Sequence, residues 1–556
     1  MNPKHFRTNQ RVVIVGGVAG GASCAARLRR LSPSTEIILL ERGPYASFAN
    51  CGLPYYVGGV IAERDRLLVT PPEVLRERFR IDLRTRHEAV GIDRERRVVA
   101  IRNLESGECY EERYDALVLS PGAAPIRPPL PGIDLPGIFS VRTIPDVDAI
   151  TAWIKQRHAR RAVVVGGGFI GLEMVENLRH RGLSVALVEK LPQVMPPMDP
   201  EMMTPVHHHL FEKGVDLRLG DGVGGFRAGE HGGLVVCTEK GEELPAELVI
   251  LSIGVRPETA LARAAGLSLG ERGGIRVDEY MQAAPGIYAV GDAVEVRDWV
   301  TGEWTLCPLA GPANRQGRLV ADNIVFGNTR TYRGSQGTAV VGCFELTIAS
   351  TGAGEKTLAR LGRKYEKVYV HQAHHAGYYP GARTIHLKLL FDPSDGTILG
   401  AQAVGHVGVE KRIDVIALAL QKRATVYDLE EAELCYAPQY GSAKDPVNIA
   451  GFIAVNHLRG LAPLAHWDEP RDGALILDVR TPGEVERGHV PGSVNIPLDE
   501  LAERLSELPR GRDIRVHCGV GARSHLATRL LREAGLSARN LSGGFASYLM
   551  LPLRNE

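Results

Sequence analysis

A chain of 556 residues exceeds what a single hydrophobic core organises, so three or four domains are expected. Its 66 basic and 65 acidic side chains leave a net charge of +1, with no basic excess for nucleic acid as the main partner. No apolar run approaches the length of a membrane span, so no membrane partner is expected. The opening MNPKHFRTNQRVVIVGG has no apolar leader core, which points to cytoplasmic residence. Eight cysteines without a CxxC or a zinc-ligand spacing give no metal site, and most should be inert thiols in a reducing compartment.

Residues 11–15 form an apolar run before GGVAGG, a helical stretch over 22–31 and a strand over 37–40 that ends at Glu41. This is a βαβ unit. The pattern recurs as a strand at 162–165, then GGGFIG, a helix to about 181 and a strand at 185–188 ending at Glu189. The fold class is therefore α/β, with two interleaved Rossmann-like units. Residues 116–122 and 248–254 are apolar runs stopped by glycine, and PIRPPLPG at 125–132 reads as a crossing between domains. The triplet His207–His209 points in different directions on a helix and reads as a solvated face, not a metal site. After residue 335 come strands at 386–391 and 398–404 and an amphipathic helix at 410–422. A linker over 459–473 follows, and a strand at 475–479 opens a last small α/β pattern.

In the second turn Gly166, Gly168 and Gly171 are the three fingerprint glycines, giving the tight turn, the pyrophosphate approach and the close helix packing. The helix start then meets phosphate with its free N–H groups. Glu189 is placed to accept from a ribose 2′-hydroxyl and to repel a 2′-phosphate, so NADH is preferred over NADPH, although Lys190 acts the other way. The first turn keeps Gly16 and Gly21 but has Val18 in the middle, and Glu41 supplies the ribose acceptor. The strand ending in Gly291-Asp292, with Ser120-Pro121-Gly122 before it, resembles the flavin segment of two-dinucleotide disulfide reductases, which implies FAD here.

Cys51 lies in SFANCGLPYY, where a helix starting after the turn would favour its thiolate. Glutathione-reductase-type enzymes have a second cysteine at the position of Tyr56, so no internal disulfide can form here. Cys51 must instead cycle through a bond to substrate sulfur or through a sulfenic acid. With GGVAGG, GGGFIGLE and GIYAVGD, the motif resembles the single-cysteine branch of the pyridine-nucleotide disulfide reductases. Within that branch it is most similar to coenzyme A-disulfide reductases and their rhodanese-fused, NADH-dependent persulfide reductase relatives. The resemblance implies coenzyme A contacts at Ser23, Arg27, Arg30, Ser47, Asn50 and Lys444. It also implies a homodimer whose partner subunit brings Tyr378 and Tyr436 to the cysteine, with Tyr440 close enough to leave the second assignment open. Asn314 stands where relatives often have His, so no role is assigned to it.

Near the C-terminus CGVGARS places Cys518 between a strand at 514–517 and a helix at 524–534. A glycine-rich loop can turn its N–H groups inward around one sulfur, and Arg523 is expected to add positive potential. With LDVR and GHVPGS upstream, this segment resembles a rhodanese domain with its catalytic cysteine intact. The expected domains are FAD-binding at 8–125 and 256–334, NAD-binding at 126–255, dimerisation at 335–456, linker at 457–473 and rhodanese at 474–556. Extended, the linker would let the rhodanese move between a sulfur donor and the reductase. The implied function is NADH-dependent reduction of a small-molecule thiol species (coenzyme A persulfide, polysulfide or coenzyme A disulfide) through FAD and Cys51. The alternatives are an NADH oxidase or peroxidase using a sulfenic acid, and a sulfurtransferase or sulfane-sulfur sensor.

Overall fold

The computed structural model describes residues 9–229 and 232–552. The extreme ends of the expected domain ranges, residues 8 and 553–556, and the opening read for a leader up to residue 8, lie outside the described residues. Two compact units divide the chain, Met1–Pro192 with Gly214–Gly337, and Gln193–Lys213 with Thr338–Glu556.

In the first unit RVVIV and RAVVV are the central strands of two sheets, β-branched runs suited to burial on both faces. The first sheet runs in the spatial order Gln282–Ala284, Ile287–Ala289, Ala116–Leu119, Arg11–Val15, Glu36–Glu41, Asp82–Thr85, parallel except at its first edge. The second is all parallel, in the order Asp216–Leu219, Ser184–Glu189, Arg161–Val165, Leu248–Leu251, Ile138–Ser140. The proline-rich crossing begins as the strand Ala123–Pro125, which pairs antiparallel with Val255–Pro257 where the chain returns.

The second unit contains a five-stranded antiparallel sheet ordered Ala339–Cys343, Leu346–Gly352, Ile398–Gly405, Thr384–Phe391, Glu366–Ala373. Gln193–Lys213 belongs with this unit, although residues 126–255 were expected to form one domain. Its helix buries Met202, Val206 and Leu210, and part of the tie is electrostatic. Lys388 is fully buried and donates to Asp199 at 2.7 Å, and also to Glu201 and Glu355. Those three carboxylates cluster tightly enough to suggest a cation site, and the Lys388 ammonium meets their charge. The histidine triplet is not a solvated face, for only His208 is exposed. His207 accepts from Val194 N at 3.2 Å, and burial holds its pKa down at about 4, while His209 lies 2.9 Å from Glu345.

A second sheet in this unit is parallel, ordered Leu464–Ala465, Ala538–Leu541, Ile514–His517, Leu475–Asp478, Val494–Asn495. The expected linker is thus partly an edge strand, because Leu464–Ala465 pairs with Asn540 and Leu541. Nor is the segment free to swing. Trp467 Nε1 donates to Gly544 O at 2.9 Å, and Lys367 of the antiparallel sheet binds Asp468 at 2.7 Å. Tyr369 N donates to Ser542 Oγ at 3.0 Å, and buried His371 lies 2.7 Å from Ser547 Oγ and 2.8 Å from His386 Nδ1. Burial lowers the His371 pKa to about 3, so His371 is a neutral ring in a seam whose charged contact is the Lys367–Asp468 pair.

Candidate functional site

The two glycine turns are superimposable in their bonding. Gly16 N and Gly166 N each donate at 2.8 Å to the carbonyl at the end of the next strand, Leu40 and Val188. Gly17 N and Gly167 N donate to Glu41 Oε2 at 2.9 Å and Glu189 Oε2 at 2.7 Å. Ser120 N and Ser252 N close the turns from the neighbouring strands onto Val15 O and Val165 O. A Cβ at Gly21 or Gly171 would stand 1.9 Å from Gly16 O or Gly166 O, so only glycine allows helix and turn to touch. A Cβ at Gly168 would meet nothing within 4 Å, leaving room above the start of the helix Phe169–His180. That helix and Ala19–Leu31 have no side-chain cap, so their first N–H groups can receive a pyrophosphate. The turns fit one dinucleotide each. Lys190 is tied to Glu239 at 2.9 Å, which draws its charge from the Glu189 position. At the flavin segment Gly291 N donates to Gln316 Oε1 at 2.7 Å, next to Asp292, whose pKa burial raises. Gly122 turns the chain at φ 74° before the crossing strand.

Cys51 is exposed, in the turn Asn50–Gly52 ahead of the six-residue helix Leu53–Gly58. That helix packs closely on Phe169–His180: a Cβ at Gly58 would lie 2.0 Å from Asn177 Oδ1. Tyr55 donates to Glu173 Oε1 at 3.3 Å, and burial raises Glu173 to about 7. The expected thiolate bias is reversed. Although its surface is open, the protein atoms around the sulfur desolvate it in part and push the Cys51 thiol up, the Glu173 and Asp292 carboxylates add to this, and only a backbone hydrogen bond opposes them. Glu173 was not singled out from sequence, although it stands only two residues after the fingerprint glycine Gly171.

The expected substrate contacts fall into two groups, one in each unit. Ser23 donates to Asn314 Oδ1, giving that asparagine a partner from the expected set. Arg27 and Arg30 take separate partners: Arg27 binds buried Asp322 at 2.8 Å, while Arg30 is exposed over the Phe79 ring at 5.2 Å. Asn50 is exposed beside Cys51, and Ser47 is buried at φ 52°. In the second unit Tyr378 and Tyr436 share a 2.7 Å hydroxyl–hydroxyl hydrogen bond on an exposed surface. This singles out Tyr436 over Tyr440 as the companion of Tyr378. Lys444 is exposed, and its carbonyl accepts from Gln372 Nε2.

Cys518 is buried at the end of strand Ile514–His517. Gly521 N points at its sulfur from 3.1 Å and Ser524 Oγ from 3.4 Å, at the start of helix Ala522–Glu533. These donors suit an anionic sulfur. A feature that sequence reading missed supports the loop from behind: Phe545 N and Ala546 N donate to Cys518 O and Gly519 O at 2.7 and 2.9 Å. Arg523 acts on the Cys518 sulfur as expected, but it also has a carboxylate partner. It forks onto Glu484 at 2.7 and 2.6 Å, so its charge is met by a carboxylate.

With this geometry in hand, residues 10–317 match the pyridine nucleotide-disulphide oxidoreductase family, residues 338–445 its dimerisation domain and residues 464–551 the rhodanese-like domain. The chain belongs to the pyridine nucleotide-disulphide oxidoreductases, in a form with a C-terminal rhodanese domain. It is 35% identical to a coenzyme A disulfide reductase of Staphylococcus haemolyticus over 80% of this chain and 99% of that one. The crystal structure of reduced Bacillus anthracis CoADR-RHD matches at TM-score 0.96 and 50% identity, covering 99% of both chains. A NAD-dependent persulfide reductase from A. fulgidus matches at TM-score 0.90 and 37% identity, over 97% of this chain and all of that one.

Proposed function

We propose that this protein is an NADH-dependent flavoprotein that reduces coenzyme A persulfide, polysulfide or coenzyme A disulfide at Cys51, with Cys518 as a carrier of sulfane sulfur. The observation that supports it most is a pair of single, separately housed cysteines: Cys51 is free with Tyr56 in place of a second thiol, and Cys518 is free in a donor-lined loop. FAD, held at the first turn by Gly16, Gly21, Glu41, Ser120, Gly122, Gly291 and Asp292, supplies two-electron transfer when bound. Gly166, Gly168, Gly171 and Glu189 would hold NADH; the paired Lys190 supports NADH over NADPH.

Cys51 sulfur attacks the inner sulfur of a persulfide, the S–S bond breaks, and hydrosulfide leaves with the electron pair. Because partial burial and two carboxylates favour the Cys51 thiol, its proton must pass to solvent before attack, and Tyr378 with Tyr436, brought by a partner subunit, would donate to the departing hydrosulfide. Ser23, Arg27, Arg30, Ser47, Asn50 and Lys444 would hold coenzyme A. The domain ranges given above, a homodimer, and cytoplasmic residence belong to the same proposal. All eight cysteines are free, which suits a reducing compartment. Among the described residues no helix is long and apolar enough to cross a membrane.

The test is Cys51→Ser in the FAD-loaded protein. Flavin reduction by NADH should persist while turnover of coenzyme A persulfide and coenzyme A disulfide falls at least about a thousandfold, about 4 kcal/mol. Persistent sulfur turnover would remove Cys51 from the chemistry. Faster reoxidation of the reduced wild-type protein by peroxide or oxygen than by either sulfur substrate would make it an oxidase or peroxidase.

A further inference from the structure

Sulfane donors that could load Cys518 differ in the charge they bring and release. With thiosulfate, the Cys518 thiolate attacks the outer sulfur of a dianion, the S–S bond breaks, and its electron pair leaves with sulfite, another dianion. With an organic persulfide, the thiolate attacks the outer S–H sulfur, the same kind of bond breaks, and the pair leaves with a thiolate of one charge. Both transfers balance without an external oxidant or reductant. They place different demands on the loop: a dianion entering a buried site needs uncommitted positive charge there, and a persulfide does not.

The arginines set against this loop are already matched by acids. Arg523 forks onto Glu484 through both terminal nitrogens, at 2.7 and 2.6 Å. Glu484 is itself fixed from behind, accepting from Thr481 N at 3.0 Å and Thr481 Oγ1 at 3.1 Å in the cap of helix Pro482–Glu486. The clamp stands at the loop, since a Cβ at Gly519 would lie 3.6 Å from Arg523 Nη2 and 3.9 Å from Glu484 Oε1. Arg480 is buried, bound to Asp478 at 2.7 Å, with its guanidinium over the Phe545 ring at 4.0 Å. His517, one residue before Cys518, is held neutral by burial, with a pKa lowered to about 4. The Arg523 hydrogen bonds draw Glu484 down to about 2, so its carboxylate stays charged across the physiological range. Beside the sulfur stand two neutral donors, Gly521 N–H and Ser524 O–H, and the Arg523 guanidinium, whose charge there is already matched by the Glu484 carboxylate.

We propose that Glu484 is a specificity-determining residue of the Cys518 site: by clamping Arg523 it selects an organic persulfide as sulfur donor over thiosulfate. The proposal rests on Cys518 being a sulfane-sulfur carrier and names the donor class for that role. It also gives Arg523 a second task beside its contact with the Cys518 sulfur, namely to hold the loop to helix Pro482–Glu486.

The experiment loads the full-length, FAD-bound protein with 2-mercaptoethanol persulfide, whose only ionisable group is the persulfide itself, or with thiosulfate. It follows addition of one sulfur atom to Cys518 by intact-protein and peptide mass, with Cys518→Ser as the blank. The wild-type second-order loading rate constant should be at least about a hundredfold larger for the persulfide. Glu484→Gln, which keeps the Thr481 contacts possible but releases the Arg523 charge, should raise thiosulfate loading at least about tenfold and change persulfide loading less than about threefold. Equal wild-type loading from both donors, or an unchanged thiosulfate rate in Glu484→Gln, would overturn the proposal. If the variant loses persulfide loading as well, its fold is compromised and the wild-type donor ratio alone decides. If neither donor adds sulfur to wild-type Cys518, the carrier role falls and the donor preference with it.

Discussion

At Cys51 two opposing demands meet in a few side chains. A nucleophilic sulfur should be ionised, yet burial first and then the Glu173 and Asp292 carboxylates raise its pKa. Glu173 is itself raised to about 7 by burial, so its charge develops across neutrality. The sign follows from this. Below pH 7 Glu173 is mostly neutral and suppresses the thiolate little; above pH 7 it is ionised and suppresses it more. The wild-type rate of Cys51 alkylation by iodoacetamide should therefore climb less steeply with pH than a single ionisation. Glu173→Gln removes the charge while keeping an acceptor for Tyr55. Alkylation at pH 8 should speed up by about threefold or more, and the profile should steepen to one ionisation. An unchanged profile would show that burial alone sets this thiol.

At the scale of elements, the glycine turns and the Cys518 loop show which parts of a site the sequence reveals. Both dinucleotide turns were readable because their bonds are local: Gly17 with Glu41 and Gly167 with Glu189 lie within one βαβ unit, where motif spacing encodes geometry. The Cys518 loop was readable for the same reason, its sulfur facing Gly521 and Ser524 a few residues on. Its support is not local. A Cβ at Gly544 would stand 2.5 Å from Cys518 O, and the residue turns at φ 60°. Gly544→Ala should thus displace the loop and reduce sulfur loading of Cys518 at least about tenfold, while NADH-driven reduction of coenzyme A disulfide stays within about twofold. Loss of both activities would mean that the damage spreads beyond the loop. The Arg523–Glu484 fork escaped the sequence, since it depends on chain segments meeting from 39 positions apart, whereas the Tyr378–Tyr436 bond, across 58 positions, joins the two tyrosines that the resemblance had paired.

At the scale of the molecule, the parallel sheet bearing Cys518 is fastened to the antiparallel sheet beside it. A linker of about fifteen polar and proline-containing residues invites a mobile tether, but composition does not reveal a seam made by partners far along the chain. That seam joins Tyr369 N to Ser542 Oγ, His371 to Ser547, and Lys367 to Asp468. Gly543 lies at its centre, where a Cβ would meet His371 Nε2 at 2.7 Å and Tyr369 Cβ at 2.8 Å, so any side chain forces the two surfaces apart. The buried His371 cannot give way without breaking its hydrogen bonds to His386 and Ser547. Gly543→Val should open the seam while both sheets remain folded. Amides of the strand Glu366–Ala373 should then exchange at least about tenfold faster, Tyr369 among them, while those of Thr384–Phe391 hold their wild-type protection. Wild-type exchange throughout Glu366–Ala373 in the variant would show that the sheets are held together elsewhere. Equal acceleration in both strands would mean global destabilisation, not a local seam.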